Sequence, residues 1–181
     1  MPDDPVGFIQ GRVRRGRILW TYHVGMRLAG RFIPREAILA AVTTYELVEA
    51  YPDDKYLPSY LILARHGSDV FHVLFATDVE GDNVRVVTSY RPDPGGVAGR
   101  SQGEEAEAMR CEVCGAALTA TKTDLPFKVR ESGIVVLKGL PVLQCTNCPQ
   151  YLLEDAVLAR VDQILGRVDG GIELEIIRYA A

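Results

Sequence analysis

The sequence predicts an α+β chain, in which helices and an antiparallel meander of strands are followed by a small second unit with one helix and a terminal strand. Three observations predict it. A helix-periodic apolar segment near the amino end gives way to three strand-like runs separated by turn residues. A Gly-, Glu- and Ser-containing stretch over 93–108 interrupts every apolar pattern. Beyond it lie all four cysteines of the chain, spaced as Cys111-Glu112-Val113-Cys114 and Cys145-Thr146-Asn147-Cys148.

Composition sets the class. The chain has 181 residues, 48% hydrophobic and 24% charged, which suits one large or two small globular domains. No apolar run approaches the length of a membrane span, so a cytoplasmic protein without a membrane partner is expected. The net charge of -4 conceals an asymmetry. Between Pro5 and Arg35 there are seven arginines (Arg12, Arg14, Arg15, Arg17, Arg27, Arg31 and Arg35) and no acidic residue. A basic end on an acidic chain suits a local anionic partner such as nucleic acid, or a solvated basic face beside an acidic surface.

Taken in order, residues 1–17 are polar and Gly/Arg-rich and read as a loose arm or one short strand. Ile18 to Arg31 begins extended and becomes helical, and there His23, Arg27 and Arg31 recur every four residues, on one helix face. Pro34 suits a first helical turn, and Ile38, Val42, Tyr45 and Val48 continue at helical spacing, which predicts a helix over 34–49. Tyr51-Pro52-Asp53-Asp54 turns the chain. Tyr60–Arg65, Val70–Ala76 and Val84–Tyr90 are strand-like, with His66-Gly67-Ser68-Asp69 and Glu80-Gly81-Asp82-Asn83 as turns. Residues 93–108 cannot build a core and read as a flexible linker between a first domain over 1–92 and a second over 109–181. In the second, Thr119–Thr123, Phe127–Glu131 and Ile134–Leu137 alternate as short strands, and Leu152–Arg167 reads as an amphipathic helix. Ile172–Tyr179 is a last strand, without an obvious hairpin partner, for another chain or the first domain to pair with.

Two CxxC knuckles thirty residues apart suit a tetrahedral four-thiolate site. The two-residue gap lets one tight turn aim both sulfurs at one ion, and Gly115 supplies the backbone freedom such a turn needs. Two disulfides or a redox CxxC are the competing readings. Disulfides need an oxidising compartment, and a redox motif needs no second copy. One structural Zn²⁺ held by Cys111, Cys114, Cys145 and Cys148 is therefore the expectation, with four thiolates leaving no open position for water.

In the first domain His23, Arg27 and Arg31 form a cationic row, His72 lies in a strand, and Thr88 and Tyr90 end another. Histidine, arginines and tyrosine without a metal-ligand set fit metal-independent RNA cleavage. There a ribose 2′-OH attacks the adjacent phosphate, a base takes its proton, an acid protonates the leaving oxygen, and cations hold the phosphorane. His72 taken alone is more often a satisfied sheet histidine than a catalyst, and the arginine row could pair with Glu46, Glu49 or Asp53.

Residues 18–92 resemble a family of RelE/HigB-like toxin domains of unknown function. The resemblance rests on Tyr22-His23 with Arg27 and Arg31, Ile33-Pro34-Arg35-Glu36, Glu49-Ala50-Tyr51-Pro52-Asp53-Asp54, Phe71-His72-Val73-Leu74 and Val87-Thr88-Ser89-Tyr90-Arg91-Pro92. Residues 109–181 resemble the YgiT/MqsA-type zinc-finger antitoxins, through Met109-Arg110-Cys111-Glu112-Val113-Cys114-Gly115 and Val135-Val136-Leu137-Lys138-Gly139-Leu140-Pro141-Val142-Leu143-Gln144-Cys145. The resemblance implies RelE-like helices on an antiparallel sheet joined to a zinc ribbon. It implies a toxin–antitoxin fusion in which an mRNA-interferase-like domain, a metal-independent endoribonuclease acting through His23, Arg27, Arg31, His72 and Tyr90, is neutralised by the zinc-binding domain in cis or across a homodimer. RNA, ribosome-bound mRNA included, is the implied substrate. The alternative is a non-enzymatic regulatory binding protein on a degenerate toxin scaffold with a structural zinc ribbon.

Overall fold

The computed structural model describes residues 2–22, 33–92, 109–129, 133–168 and 173–179. It is mixed α+β, with three α-helices and nine strands among these residues. No helix is long and apolar enough to cross a membrane.

The polar amino end is not a loose arm or strand but helix α1, Pro5–Arg14. Asp4 caps it by accepting from the Gly7 amide at 2.9 Å, and Pro5 opens the first turn, where its missing N–H costs nothing. Ile9 and Val13, four residues apart, bury one stripe that the flanking arginines conceal in the sequence. Gly16, at φ 69°, turns the chain into β1, Ile18–Thr21, whose four residues are all buried.

The helix expected over 34–49 is shorter. Helix α2 spans Arg35–Ala40, one 3₁₀ turn follows over Ala41–Thr44, and Glu46–Tyr51 is strand β2. The β-branched Val42, Thr43 and Thr44 weaken the helix. Thr44 Oγ1 instead accepts from the Arg65 amide at 2.9 Å, and the Tyr45 hydroxyl donates to the Ile38 carbonyl at 2.8 Å. The first bond ties the end of the turn to the sheet, and the second ties Tyr45 back to α2.

Strands β3 (Ser59–His66), β4 (Asp69–Asp78) and β5 (Asn83–Tyr90) form the meander that the turn residues predict, and β2 extends it as a fourth antiparallel strand. In the second half, two expected short strands merge into β6, Leu118–Lys128, bent by a register shift between Thr123 and Leu125. Its partner β7 runs unbroken from Ile134 to Cys145, and β8 (Tyr151–Glu154) leads directly into helix α3, Asp155–Leu165. The last strand, β9 (Leu174–Arg178), pairs in parallel with β7 of its own half.

The sheet order is β2-β3-β4-β5-β1-β8-β7-β6, with β9 beside β7. Strand β1 is the shared member: it lies parallel to β5 and antiparallel to β8, pairing Leu19 with Arg85 on one side and Glu154 on the other. The sheet therefore runs without a break from the first half into the second. One buried cluster, on the helix-covered face, draws Ile9, Trp20, Ile38, Phe75 and Val86 together with Phe127, Leu137, Leu153 and Leu158. On the other face of the join sits a small cluster of Leu19, Leu143 and Leu152.

Candidate functional site

The four cysteines converge. Cys111 and Cys114 occupy a turn closed by the Arg110–Ala117 bridge and by the Cys111 amide on the Ala116 carbonyl at 2.8 Å. Gly115, at φ 73°, donates back to the Cys111 carbonyl at 2.9 Å, a left-handed position that penalises any residue with a Cβ. Cys145 ends β7, and the bend after it carries Cys148. Thr146 N donates to the Ala117 carbonyl at 3.0 Å, which sets one turn against the other.

The sulfurs all lie within 4.8 Å of one another, with Cys111 to Cys148 at 3.6 Å and Cys114 to Cys145 at 3.4 Å. A tetrahedron of thiolates about 2.3 Å from a metal has edges of about 3.8 Å, so the cluster can hold one metal ion. The local donors fit thiolates. The Val113 amide is 3.4 Å from Cys111 Sγ, and the Asn147 and Cys148 amides are each 3.4 Å from Cys145 Sγ. Burial pushes the Cys111 and Cys148 thiols up, while the Ala116 amide brings Cys114 down to about 7. A cation at the centre supplies the charge that makes four clustered thiolates tenable.

The first half grips this knuckle. Arg85 belongs to β5, pairs in register with Leu19, and faces away from the main core, yet its side chain is 0% exposed. It donates to Asp78 at 2.8 Å, to Glu112 at 3.3 Å, and to the Arg110 carbonyl. Tyr56, from the β2–β3 connection, lies against Gly115 so closely that a Cβ there would stand 2.3 Å from its ring. On the helix-covered face Asp155 accepts from Trp20 Nε1 at 2.9 Å and from Arg35 Nε at 2.6 Å. Tyr22 packs edge-on to Phe127 and Tyr151 and donates to the Pro126 carbonyl.

Of the predicted first-domain residues, His72 and Tyr90 come together. They are register partners across β4 and β5, with rings 5.3 Å apart and edge to face, and His72 Nδ1 stands 3.4 Å from the Tyr90 hydroxyl. Both are half-buried, and burial lowers the His72 pKa, which favours the neutral ring. His23, Arg27 and Arg31 lie outside the described residues.

Two groups escape the sequence reading. Tyr51 donates to Glu49 at 2.7 Å on β2, and burial together with that carboxylate pushes its phenol up to about 12. Tyr90 also raises it, which places the two phenols within electrostatic reach. Arg85 and Glu112 are the other omission. The alternation Val84-Arg85-Val86 marks Arg85 as facing opposite to the core, but no local signal names its partners.

Residues 20–94 match a family model described as a domain of unknown function, DUF4258. That domain thus begins on the shared strand β1 and takes in α2 and the whole β2–β5 meander, with His72 and Tyr90 inside it. Neither a curated protein nor a solved structure matches the chain.

Proposed function

We propose that the chain is a toxin–antitoxin-type fusion. In this reading residues 1–92 are a RelE-like RNA-cleaving domain, and residues 109–181 are a zinc-binding antitoxin-type domain docked on it in cis. The observation that supports it most is the pairing of β1 with β8, reinforced by Trp20 and Arg35 on Asp155 and by the seat of the knuckle over Arg85. A second unit that extends the sheet of the first is how a tethered inhibitor would keep its target, since a short linker holds an effective concentration on the order of millimolar.

In the reaction, neutral His72 takes the 2′-OH proton, the 2′ oxygen bonds to phosphorus, the bond from phosphorus to the 5′ oxygen breaks, and that oxygen leaves with a proton assigned, from the sequence alone, to His23. Tyr90 orients the imidazole through its hydroxyl at 3.4 Å. Arg27 and Arg31 are assigned to the phosphate from their spacing alone. Zn²⁺ on Cys111, Cys114, Cys145 and Cys148 would be structural, with every coordination position filled by thiolate.

One observation favours a second reading, a non-enzymatic regulatory binding protein. His72 lies six residues along β4 from Asp78, roughly 20 Å at about 3.3 Å per residue, and both it and Tyr90 stay half-exposed. Expression of the full chain separates the two. Wild type should be harmless, Asp155→Ala should loosen the docked half and cause growth arrest with RNA cleavage, and Asp155→Ala with His72→Ala should be harmless again. A folded Asp155→Ala chain that leaves RNA intact refutes the toxin reading, and a wild type that cleaves as fast as the variant refutes neutralisation.

A further inference from the structure

The join between the halves contains a charge network that runs into the metal site. Arg85 is fully buried, and Asp78 and Glu112 beside it have side chains only 10% and 5% exposed. Each carboxylate has a second duty. Asp78 Oδ1 accepts from the Gly81 amide at 2.7 Å, which closes the β4–β5 turn, and its Oδ2 lies 3.3 Å from Asn83 Nδ2. Glu112 Oε1 accepts from Gln150 Nε2 at 2.5 Å.

The placement of these partners in the sequence is informative. Arg110, whose carbonyl takes Arg85 Nη1, immediately precedes Cys111. Glu112 is the first residue inside that knuckle. Gln150 follows the second knuckle by two residues, and its carbonyl accepts the Cys145 amide at 3.0 Å. One guanidinium thus holds the first knuckle on both sides of its leading cysteine, and Glu112 passes the constraint to the second. Its planar fork can meet several acceptors in fixed directions, which an ammonium cannot.

We propose that Arg85, a residue of the first half, is a positioning residue for the four-cysteine metal site. Groups just outside a metal's ligands set ligand orientation, and their loss commonly weakens binding about 10- to 100-fold. The assignment makes metal affinity a property of both halves. Coupling between two sites is reciprocal, so metal loading must in turn hold the Asp78–Asn83 turn of the first half. The inference goes beyond the proposed function and stands whether or not the first half cleaves RNA.

The test uses the full chain, stripped of metal and titrated with Zn²⁺ against a chromophoric chelator. Arg85→Met, close in size and uncharged, should weaken Zn²⁺ binding about 10- to 100-fold. Arg85→Lys restores the charge but not the fork and should recover only part of it. The control is Ile38→Ala, which opens the buried face of α2 away from the knuckle and should lower Tm without moving the affinity. Unchanged affinity in Arg85→Met overturns the proposal, and so does an equal loss in Ile38→Ala, since the effect would then be one of general stability. If Arg85→Met does not fold, hydrogen exchange on the wild type decides. Removing Zn²⁺ should speed exchange of the Gly81 amide at least tenfold while Phe71, at the far end of β4, keeps its protection. Equal acceleration at both, or at neither, overturns it.

Discussion

Substituting Gly115 by alanine probes the contact between the knuckle and the first half. Two separate costs are expected. At φ 73° a side chain strains the backbone by about 1–2 kcal/mol. The new methyl would also stand 2.3 Å from Tyr56 Cε1 and 2.5 Å from Cδ1, so the ring must move, an overpacking cost of about 1–3 kcal/mol. Together roughly 2–5 kcal/mol should be lost, a large share of the about 5–15 kcal/mol typical of a domain. A double-mutant cycle with Tyr56→Ala separates the two parts, because without the ring only the backbone strain remains. Urea unfolding of the four full-length chains at one fixed excess of Zn²⁺ measures the cycle. A coupling of about 1–3 kcal/mol is expected. If Gly115→Ala costs the same with Tyr56 present or absent, the β2–β3 connection does not press on the knuckle, and the described seat of the second half is wrong.

Two further outcomes follow from the core and from His72. Phe127→Ala removes a fully buried ring from the cluster shared by both halves and should cost about 3–5 kcal/mol. Trp20 fluorescence, reporting the first half, and the thiolate–metal absorption of a Co²⁺-loaded chain, reporting the second, should still shift in one coincident transition, and two separated transitions would refute a shared core. Because burial lowers the His72 pKa, the unfolded chain takes up that proton first as the solution is acidified. Stability should therefore fall as pH drops below about 6.5 and level off below the folded pKa, and His72→Gln should flatten that slope in urea midpoints measured across the window.

Local chemistry explains what was legible in the sequence. The meander β3–β5 is readable because alternation and turn residues agree, as with Val84 and Val86 inward and Arg85 outward. The knuckles are readable because two CxxC turns leave few alternatives. Helix α1 is missed because Ile9 and Val13 are a narrow apolar stripe among arginines, and only a cap and a proline announce it. The stretch after Ala40 misleads because Val42, Tyr45 and Val48 keep helical spacing, while Thr44 bonds into the sheet and Tyr45 reaches back to the Ile38 carbonyl. Strand β1 is legible as a strand, but that it joins β5 to β8 is not, since register partners far along the chain leave no local trace.

The join has an asymmetry that bears on how the halves depend on each other. On the helix-covered face it is largely apolar and could re-form around other side chains. Beneath the knuckle it is ionic, and Arg85 takes one carboxylate from each half, Asp78 and Glu112. A buried guanidinium stripped of one partner is strongly destabilising, by about 3–5 kcal/mol, whereas the intact group can be nearly neutral against an apolar replacement. The network therefore adds little net stability to the closed chain and penalises the open one. The exposed edge that β1 would present without β8 adds to the penalty. The second half thus serves the first as the missing part of its sheet and the missing counter-charge of Arg85.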